Sequence, residues 1–348
     1  MKIIEATYFP FSLKLKTPFV NSIGTLRQRN GFILKLTDEF GNIGYGECSP
    51  LPAFSKESLT EAEENLSNIT TGLLQYSYAD ELSFPSELPS VSYAVEQALL
   101  DLAFAQKKDL LTKKLGLVDS VINVNAVIGF DDYQNIFNKI KNKIELGYKT
   151  FKIKVGRDNP YEDYELLETI RVNFGFDFKI RLDVNQKWSA DEAIEYLERF
   201  KAFEIEYVEE PCEFASSTLR TFEETHIPVA LDESIKSSSE LMSLLTDLNT
   251  EYLVVKPMII GGFFTIKNII DLANQNDKKI IISSSFESAI GKRALVMLAS
   301  LTNHSLAHGL DTTEFFENDI SPDVYPVTNG KINFINNILP HKTDLSLQ

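Results

Sequence analysis

Cysteine is scarce in this 348-residue chain, and the residue patterns of several common kinds of site are absent. The two cysteines, Cys48 and Cys212, are too few for a disulfide framework and match no metal-binding spacing, so we expect reduced thiols. No apolar run reaches about 18 residues, which argues against a transmembrane helix. The N-terminus, MKIIEATYFPFSLKL, lacks the continuous apolar stretch of a signal peptide, and we therefore expect a cytoplasmic protein.

Three motif classes are also missing. The sequence has no G-x-G-x-x-G or P-loop glycine pattern, no H-E-x-x-H among its four histidines, and no G-x-S-x-G element. These absences argue against a dinucleotide-binding enzyme, a zinc protease and a serine hydrolase.

Positive charge is in short supply, with 34 lysine and arginine residues against 50 aspartate and glutamate residues. The formal net charge of −16 argues against nucleic acid or an anionic membrane as the main partner. Because this charge also repels a small anionic substrate, a site for one needs local positive charge from lysine, arginine or a metal. Nothing in the sequence specifies an oligomeric state.

From about residue 122 onward, β-branched runs, polar turns and helical patterns alternate along the chain. Asn159 before Pro160, and Ser189 with Glu192, are helix-start signals. The alternation predicts an α/β fold with an eight-stranded TIM-like barrel; the alternative, a doubly wound open sheet, more often has a glycine-rich phosphate turn. The predicted strands are 121–129, 149–156, 178–185, 203–211, 227–234, 251–257, 278–285 and 305–312.

The first 120 residues have the pattern of an antiparallel sheet followed by helices near 58–69 and 91–106. The C-terminal stretch from residue 321 to residue 348 also has the pattern of strands and turns. We therefore predict an α+β domain over residues 1–120, joined by residues 321–348. Residues 121–320 then form the barrel domain that carries the catalytic residues.

Charged side chains follow the apolar part of five consecutive predicted strands. In such barrels the active site lies at the carboxyl ends of the strands. Lys152 and Lys154 alternate with apolar residues, so both point to the same side of their strand. A solvated strand face would explain one such pair of lysines. It explains less well why five consecutive strands all carry charged residues at the same end. The remaining residues are Asp183 and Asn185, Glu209 and Glu210, Asp232 and Glu233, and Lys256.

In a closed barrel the strands that end in Asp183, Glu209 and Asp232 are neighbours. Lys154 and Lys256 then lie on opposite sides of the active-site end of the barrel. Three converging carboxylates repel one another unless a cation joins them. Oxygen ligands without histidine favour Mg²⁺, with Mn²⁺ as the alternative. A lysine whose pKa is lowered by burial, a second ammonium and a metal can remove a proton next to a carboxylate.

The segments KIKVG, LDVNQKW, YVEEP, LDES and VVKP, in this order and spacing, resemble the muconate lactonizing enzyme subgroup of the enolase superfamily. The resemblance spans almost the whole chain. It implies a modified (β/α)₇β TIM-like barrel under an N-terminal α+β capping domain. It also implies Mg²⁺ on Asp183, Glu209 and Asp232, with Lys154 and Lys256 as the acid/base pair; the choice of Glu209 over Glu210 follows from the resemblance.

Four further segments, GECSPLP, EEPC, SSSFESAIG and HGLDT, resemble the o-succinylbenzoate synthase family of that subgroup. The implied reaction is the Mg²⁺-dependent dehydration of 2-succinyl-6-hydroxy-2,4-cyclohexadiene-1-carboxylate to o-succinylbenzoate in menaquinone biosynthesis. Lys154 then abstracts the proton α to the ring carboxylate and, once protonated, assists departure of the β-hydroxyl. Lys256 remains a protonated ammonium on the opposite side of the substrate ring from Lys154.

Further residues are predicted to support this small-molecule carboxylate site. Segments 17–29 and 49–55 are expected to close over it, and Arg27 and Arg29 to meet the succinyl carboxylate, with ordinary surface arginines as the alternative. Lys152 is expected to lower the pKa of Lys154. The candidates for substrate contact or support are Lys152, Asn185, Glu233, Ser283, Ser284, Ser285, Arg27 and Arg29.

The main alternative is a dipeptide epimerase or N-acylamino acid (N-succinylamino acid) racemase of the same superfamily, in which both lysines exchange the α-proton. Dipeptide epimerases typically carry D-x-D at the end of the eighth strand, whereas this chain has DTTE over residues 311–314. A non-catalytic barrel is disfavoured because all five key positions are filled. A Schiff-base aldolase needs one isolated lysine and no carboxylate arc.

Overall fold

A three-stranded antiparallel sheet and two helices form the N-terminal domain. In this computed structural model the described residues are 2–21, 24–74, 82–84, 86–213, 215–246 and 250–335. The sheet order is β1-β2-β3, and β3 lies against α2 because Gly44 and Gly46 leave room for helix carbonyls that a Cβ would overlap. The elements are β1 (Ile3–Asn21), β2 (Gly24–Asp38), β3 (Ile43–Cys48), α1 (Leu59–Leu73) and α2 (Pro89–Leu115).

Seven parallel strands form a curled sheet whose order, β5 to β11, follows the chain. Helices lie between successive strands, and the predicted caps at Asn159 and Ser189 begin two of them. The strands are β4 (Ser120–Asn123), β5 (Ala126–Ile128), β6 (Thr150–Lys154), β7 (Lys179–Asp183), β8 (Ile205–Glu209), β9 (Val229–Leu231), β10 (Tyr252–Val255), β11 (Lys279–Ile282) and β12 (Lys331–Phe334). The helices are α3 (Tyr133–Glu145), α4 (Pro160–Phe174), α5 (Ala190–Phe200), α6 (Ala215–Thr225), α7 (Ser238–Leu244), α8 (Pro257–Ile260), α9 (Phe263–Gln275) and α10 (Ala289–Ser300).

The eighth position of the barrel is held by a short segment around His308 and Gly309, where a full strand was predicted. His308 forms a parallel bridge to Val124, and Gly309 forms one to Ser283. The amide of Gly309 donates to the carbonyl of Ile282 at 2.9 Å, which joins this segment to β11. The fold is therefore a modified (β/α)₇β TIM-like barrel with an N-terminal capping domain, and the predicted fold class is confirmed.

The two ends of the barrel domain differ from the prediction. The first predicted strand is split into β4 and β5, and β4 pairs antiparallel with β12. The prediction that the C-terminal segment rejoins the capping domain is wrong for residues 331–334, because Ile332 and Phe334 are buried in the core beside β4. Residues 336–348 of that prediction lie outside the described residues.

Burial of the remaining elements agrees with the sequence pattern. Phe151 and Ile153, which alternate with the two lysines of β6, are fully buried. Cys48 and Cys212 are buried free thiols, as expected. Within the described ranges, none of the helices is both long and apolar enough to cross a membrane.

A buried arginine joins β7 to the short eighth segment. Arg181 is 0% exposed, and it donates to Glu206 Oε2 at 2.6 Å and to the carbonyl of Ala307 at 2.6 Å. We expect Arg181→Met to lower the free energy of unfolding by about 3–5 kcal/mol, because a mostly buried carboxylate is left without its partner. Urea denaturation measures this, and Arg199→Met, which breaks an exposed pair with Glu195, is the control. Equal losses in the two variants would contradict this role for Arg181.

Candidate active site

A cavity open to solvent lies between the carboxyl ends of the barrel strands and residues 49–55 of the capping domain. Leu51 and Phe54 cover it from the capping side, so the predicted closing role of this segment agrees with the structure. All five residues predicted to carry the chemistry line this one cavity: Lys154, Asp183, Glu209, Asp232 and Lys256.

The parallel register of the strands brings these side chains to the same level. Lys154 is paired with Asp183 across β6 and β7, and Asp183 is paired with Glu209 across β7 and β8. Because alternate residues of a strand share a face, Lys152 lines the cavity together with Lys154. The two lysines of KIKVG therefore point into a pocket and are not part of a solvated strand face.

Glu209 and Glu210 have separate roles. The carboxylate of Glu209 lies in the cavity wall, whereas Glu210 has a left-handed backbone with φ of 38° and is turned away. Glu210 accepts hydrogen bonds from the amide of Asp232 at 2.8 Å and from the hydroxyl of Ser234 at 2.6 Å. It thus holds the turn that presents Asp232, which agrees with the choice of Glu209 as the site carboxylate.

The pKa values of the two lysines of β6 are shifted in opposite directions. Lys152 Nζ lies 2.5 Å from Glu209 Oε1 and 3.2 Å from Asp183 Oδ2. Although burial acts in the opposite direction, these carboxylates raise the pKa of Lys152 well above its ordinary value. Burial lowers the pKa of Lys154, and the Lys152 ammonium adds to this effect, while Asp183 at 3.7 Å offsets part of it. Lys154 is therefore the lysine that more easily loses its proton.

Lys256 is a fixed cation. Its ammonium donates to both carboxylate oxygens of Asp232 and lies 5.1 Å from the ring centroid of Phe54. Burial alone would lower its pKa, but the Asp232 carboxylate outweighs burial and raises it. The cavity thus has one lysine suited to accept a proton and one suited to remain charged.

The three carboxylates have the chemistry of a divalent metal site, but in this structure they are paired with ammonium groups. Among the described residues, no three Asp, Glu, His or Cys side chains are grouped as a metal site. Asp183 Oδ1 is buried without a hydrogen-bond donor, and burial raises the pKa of Glu209 well above its ordinary value. A cation bound by all three carboxylates would satisfy these groups, and it requires Lys256 to release Asp232.

Asn185 and Glu233 support the acidic side of the cavity. Asn185 Nδ2 donates to Glu233 Oε1 at 2.5 Å, which ties the end of β7 to the turn after β9. Burial, together with the adjacent Asp232 carboxylate, raises the pKa of Glu233 to about 7. Both residues lie where the sequence placed them, next to Asp183 and Asp232.

The three serines predicted to contact or support the substrate lie in different positions. Ser283 and Ser284 line the cavity, but the hydroxyl of Ser284 donates to Glu287 at 2.5 Å and accepts from Thr312 at 2.6 Å. Its single hydrogen is therefore already used, so Ser284 has no hydroxyl hydrogen left to donate to a substrate. Ser285 lies outside the cavity wall, and its carbonyl accepts from an arginine. Ser283 and Ser284 thus lie at the predicted position, and Ser285 does not.

The two candidate arginines are not in the cavity. Arg27 is exposed on β2, and segment 17–29 belongs to the paired strands β1 and β2, with residues 22–23 outside the described ranges. Arg29 is buried, and its guanidinium donates to backbone carbonyls of residues 49, 50 and 285. The prediction that Arg29 binds a substrate carboxylate is therefore wrong, because these donors are engaged within the protein.

Sequence reasoning missed several residues of the cavity wall. Asn125 and Tyr207 lie inside the barrel, and Phe286 and Phe315 lie on loops after β11 and the eighth segment. Their residue types are also common in cores and loops, so no local signal separates them from structural residues.

Comparison with known proteins gives matches along most of the chain. Residues 137–338 match the family described as enolase C-terminal domain-like, and residues 3–102 match that described as MenC, N-terminal domain. The o-succinylbenzoate synthase of Aliivibrio fischeri is 28% identical over 318 residues, which cover 90% of this chain and 91% of that protein. The D-Ala-D/L-Ala epimerase of Cytophaga hutchinsonii is also 28% identical, over 330 residues that cover 92% of this chain and 89% of that protein.

A solved structure agrees with this fold. The dipeptide epimerase of Cytophaga hutchinsonii, crystallised with Mg and the dipeptide D-Ala-L-Val, superimposes with a TM-score of 0.85 at 26% identity. The match covers 96% of this chain and 93% of that one. Relatives with two different reactions thus have similar identity to this chain.

Proposed function

This chain belongs to the enolase superfamily, and from that we propose that it dehydrates 2-succinyl-6-hydroxy-2,4-cyclohexadiene-1-carboxylate to o-succinylbenzoate in menaquinone biosynthesis. The observation that carries the proposal is the pair of lysines in one cavity, on strands four positions apart in the barrel. The pKa of Lys154 is lowered and that of Lys256 is raised, which suits one base and one fixed cation. A dehydration needs this division of roles.

The reaction assigns a step to each lysine. Neutral Lys154 takes the proton α to the ring carboxylate and, as an ammonium, gives a proton to the β-hydroxyl, which leaves as water while the ring C=C bond forms. Lys256 stays protonated and stabilises the negative charge that develops on the substrate. Mg²⁺, which Asp183, Glu209 and Asp232 would hold, supplies positive charge to the substrate carboxylate when it is bound.

The end of the eighth segment supports dehydration over dipeptide epimerisation. Asp311 lines the cavity, but its carboxylate accepts from Lys143 Nζ at 3.0 Å and from the hydroxyl of Tyr148. Two residues further on stands Thr313, which carries no charge. This corner therefore offers a poor site for the ammonium group of a dipeptide and a better one for a substrate that carries only carboxylates.

The second candidate is an epimerase or an N-succinylamino acid racemase, which the epimerase relative of equal identity favours. An ultraviolet assay of the purified protein with the cyclohexadiene substrate and Mg²⁺, run beside N-succinylamino acids and dipeptides, separates the reactions. We expect turnover of the cyclohexadiene with the highest kcat/KM. Turnover of the amino acid derivatives or dipeptides alone would overturn the dehydratase assignment.

A further inference from the structure

Arg29 is a buried cation that the proposed chemistry does not use. Its side chain leaves β2 and enters the interface between the capping domain and the barrel, where the residue is 1% exposed. Burial lowers the pKa of its guanidinium, which means that placing the charge there costs free energy. Its contacts must therefore offset that cost, and they identify what the residue does.

The guanidinium holds two segments that form the cavity wall. On the capping side it donates to the carbonyl of Ser49 and, at 2.8 Å, to that of Pro50, directly before the cover formed by Leu51 and Phe54. On the barrel side its Nε donates to the carbonyl of Ser285 at 3.0 Å. Ser285 lies in the loop between β11 and α10, whose residues 283, 284 and 286 line the cavity.

Two buried carboxylates hold the same two segments from the other side. The hydroxyl of Ser49 donates to Glu47 at 2.7 Å, and the amide of Ser285 donates to Glu287 at 2.6 Å. Ser49 and Ser285 are thus each held at the carbonyl by Arg29 and at a donor by a carboxylate. The negative charges of Glu47 and Glu287 also act on the guanidinium and offset part of the cost of its burial.

Leu51 and Phe54 belong to one compact turn, so the contacts that Arg29 makes with Ser49 and Pro50 also fix the position of these two side chains. The amide of Leu51 donates to Ser55 Oγ at 2.8 Å, and the amides of Phe54 and Ser55 both donate to the carbonyl of Leu51. A turn closed in this way moves as a unit, so a shift of its first residues also shifts Leu51 and Phe54.

We propose that Arg29 is a positioning residue that fixes the Leu51–Phe54 cover over the cavity by binding it to the Ser285 loop. Only a planar group with several donors reaches three carbonyls at once; a lysine has one nitrogen and cannot replace it. Arg29 acts through Leu51 and Phe54 and does not touch the substrate. The proposal goes beyond the reaction proposed above, since it holds for whichever substrate the cavity takes.

The kinetic test compares two buried arginines at the domain interface. Arg29→Met should raise KM about 10–100-fold and lower kcat less, because the displaced cover weakens substrate binding. Arg293→Met is the matched control: Arg293 on α10 donates to Asp101 of α2 at 2.7 Å and does not contact the cover. It should leave KM near the wild-type value. Equal KM values in the two variants would overturn the proposal.

Hydrogen–deuterium exchange gives a readout without substrate, so it separates this proposal from failure of the proposed reaction. The amides of Leu51, Ala53, Phe54 and Ser55 should exchange at least about tenfold faster in Arg29→Met than in Arg293→Met. If Arg29→Met does not fold, Arg29→Lys keeps the charge between Glu47 and Glu287 and serves in both measurements, with the same expected results. Unchanged exchange of the cover in the variant that folds would show that Arg29 has only a structural role.

Discussion

Lys154→Arg should lower kcat by roughly 10³-fold or more, whereas Lys256→Arg should lower it by only about 10–100-fold. A guanidinium cannot lose its proton in a protein, so arginine at position 154 removes the base. At position 256 arginine preserves the positive charge, which is the property that the proposed dehydration assigns to Lys256. Steady-state kinetics with saturating Mg²⁺ measure both variants.

The asymmetry between the two variants also distinguishes the two candidate reactions. In an epimerase or racemase each lysine acts as a base in one direction, so both arginine variants should then be equally inactive. Lys149→Arg, an exposed lysine directly before β6, is the control and should keep wild-type activity. Equal losses at positions 154 and 256 would contradict the assignment of Lys256 as a fixed cation.

Removal of divalent metal by a chelator should abolish turnover, and added Mg²⁺ should restore it. Glu209→Gln should lower kcat by roughly 10³-fold, because charge stabilisation by a metal is worth several kcal/mol. Mg²⁺ should raise the Tm of the wild-type protein and should raise that of Glu209→Gln much less, since ligand binding stabilises only a form that binds the ligand.

Glu204→Gln, which changes an exposed glutamate directly before β8, is the matched control for this effect. It should keep both the activity and the Tm increase with Mg²⁺. Full activity of the chelated wild-type protein would contradict the metal dependence.

The sequence carries strong local signals for the core of this site. Each of Lys154, Asp183, Glu209, Asp232 and Lys256 lies at or directly after the end of a strand with buried apolar residues, and these ends meet in the parallel sheet. Once the barrel is predicted, the position of each strand in the ring fixes which residues face each other. Strand order and cavity lining agree with this reasoning because it depends only on period-2 alternation and chain order.

The features that were predicted wrongly depend on long-range contacts. Whether an arginine binds a substrate or a carbonyl depends on residues far away in sequence, and the acceptor of Arg29 at Ser285 is separated from it by 256 positions. The pairing of β12 with β4 is similarly remote. Ser284 has the right position for a donor, but Glu287 and Thr312 use its hydroxyl, which no local pattern indicates.

Anomalous diffraction from crystals grown with Mn²⁺ tests the central claim of one metal on the carboxylate arc most directly. The account predicts a single peak within bonding distance of Asp183, Glu209 and Asp232, with Lys256 Nζ moved away from Asp232 and Lys154 Nζ still facing the cavity. No peak at the arc, or a peak elsewhere with Lys256 still bound to Asp232, would contradict it.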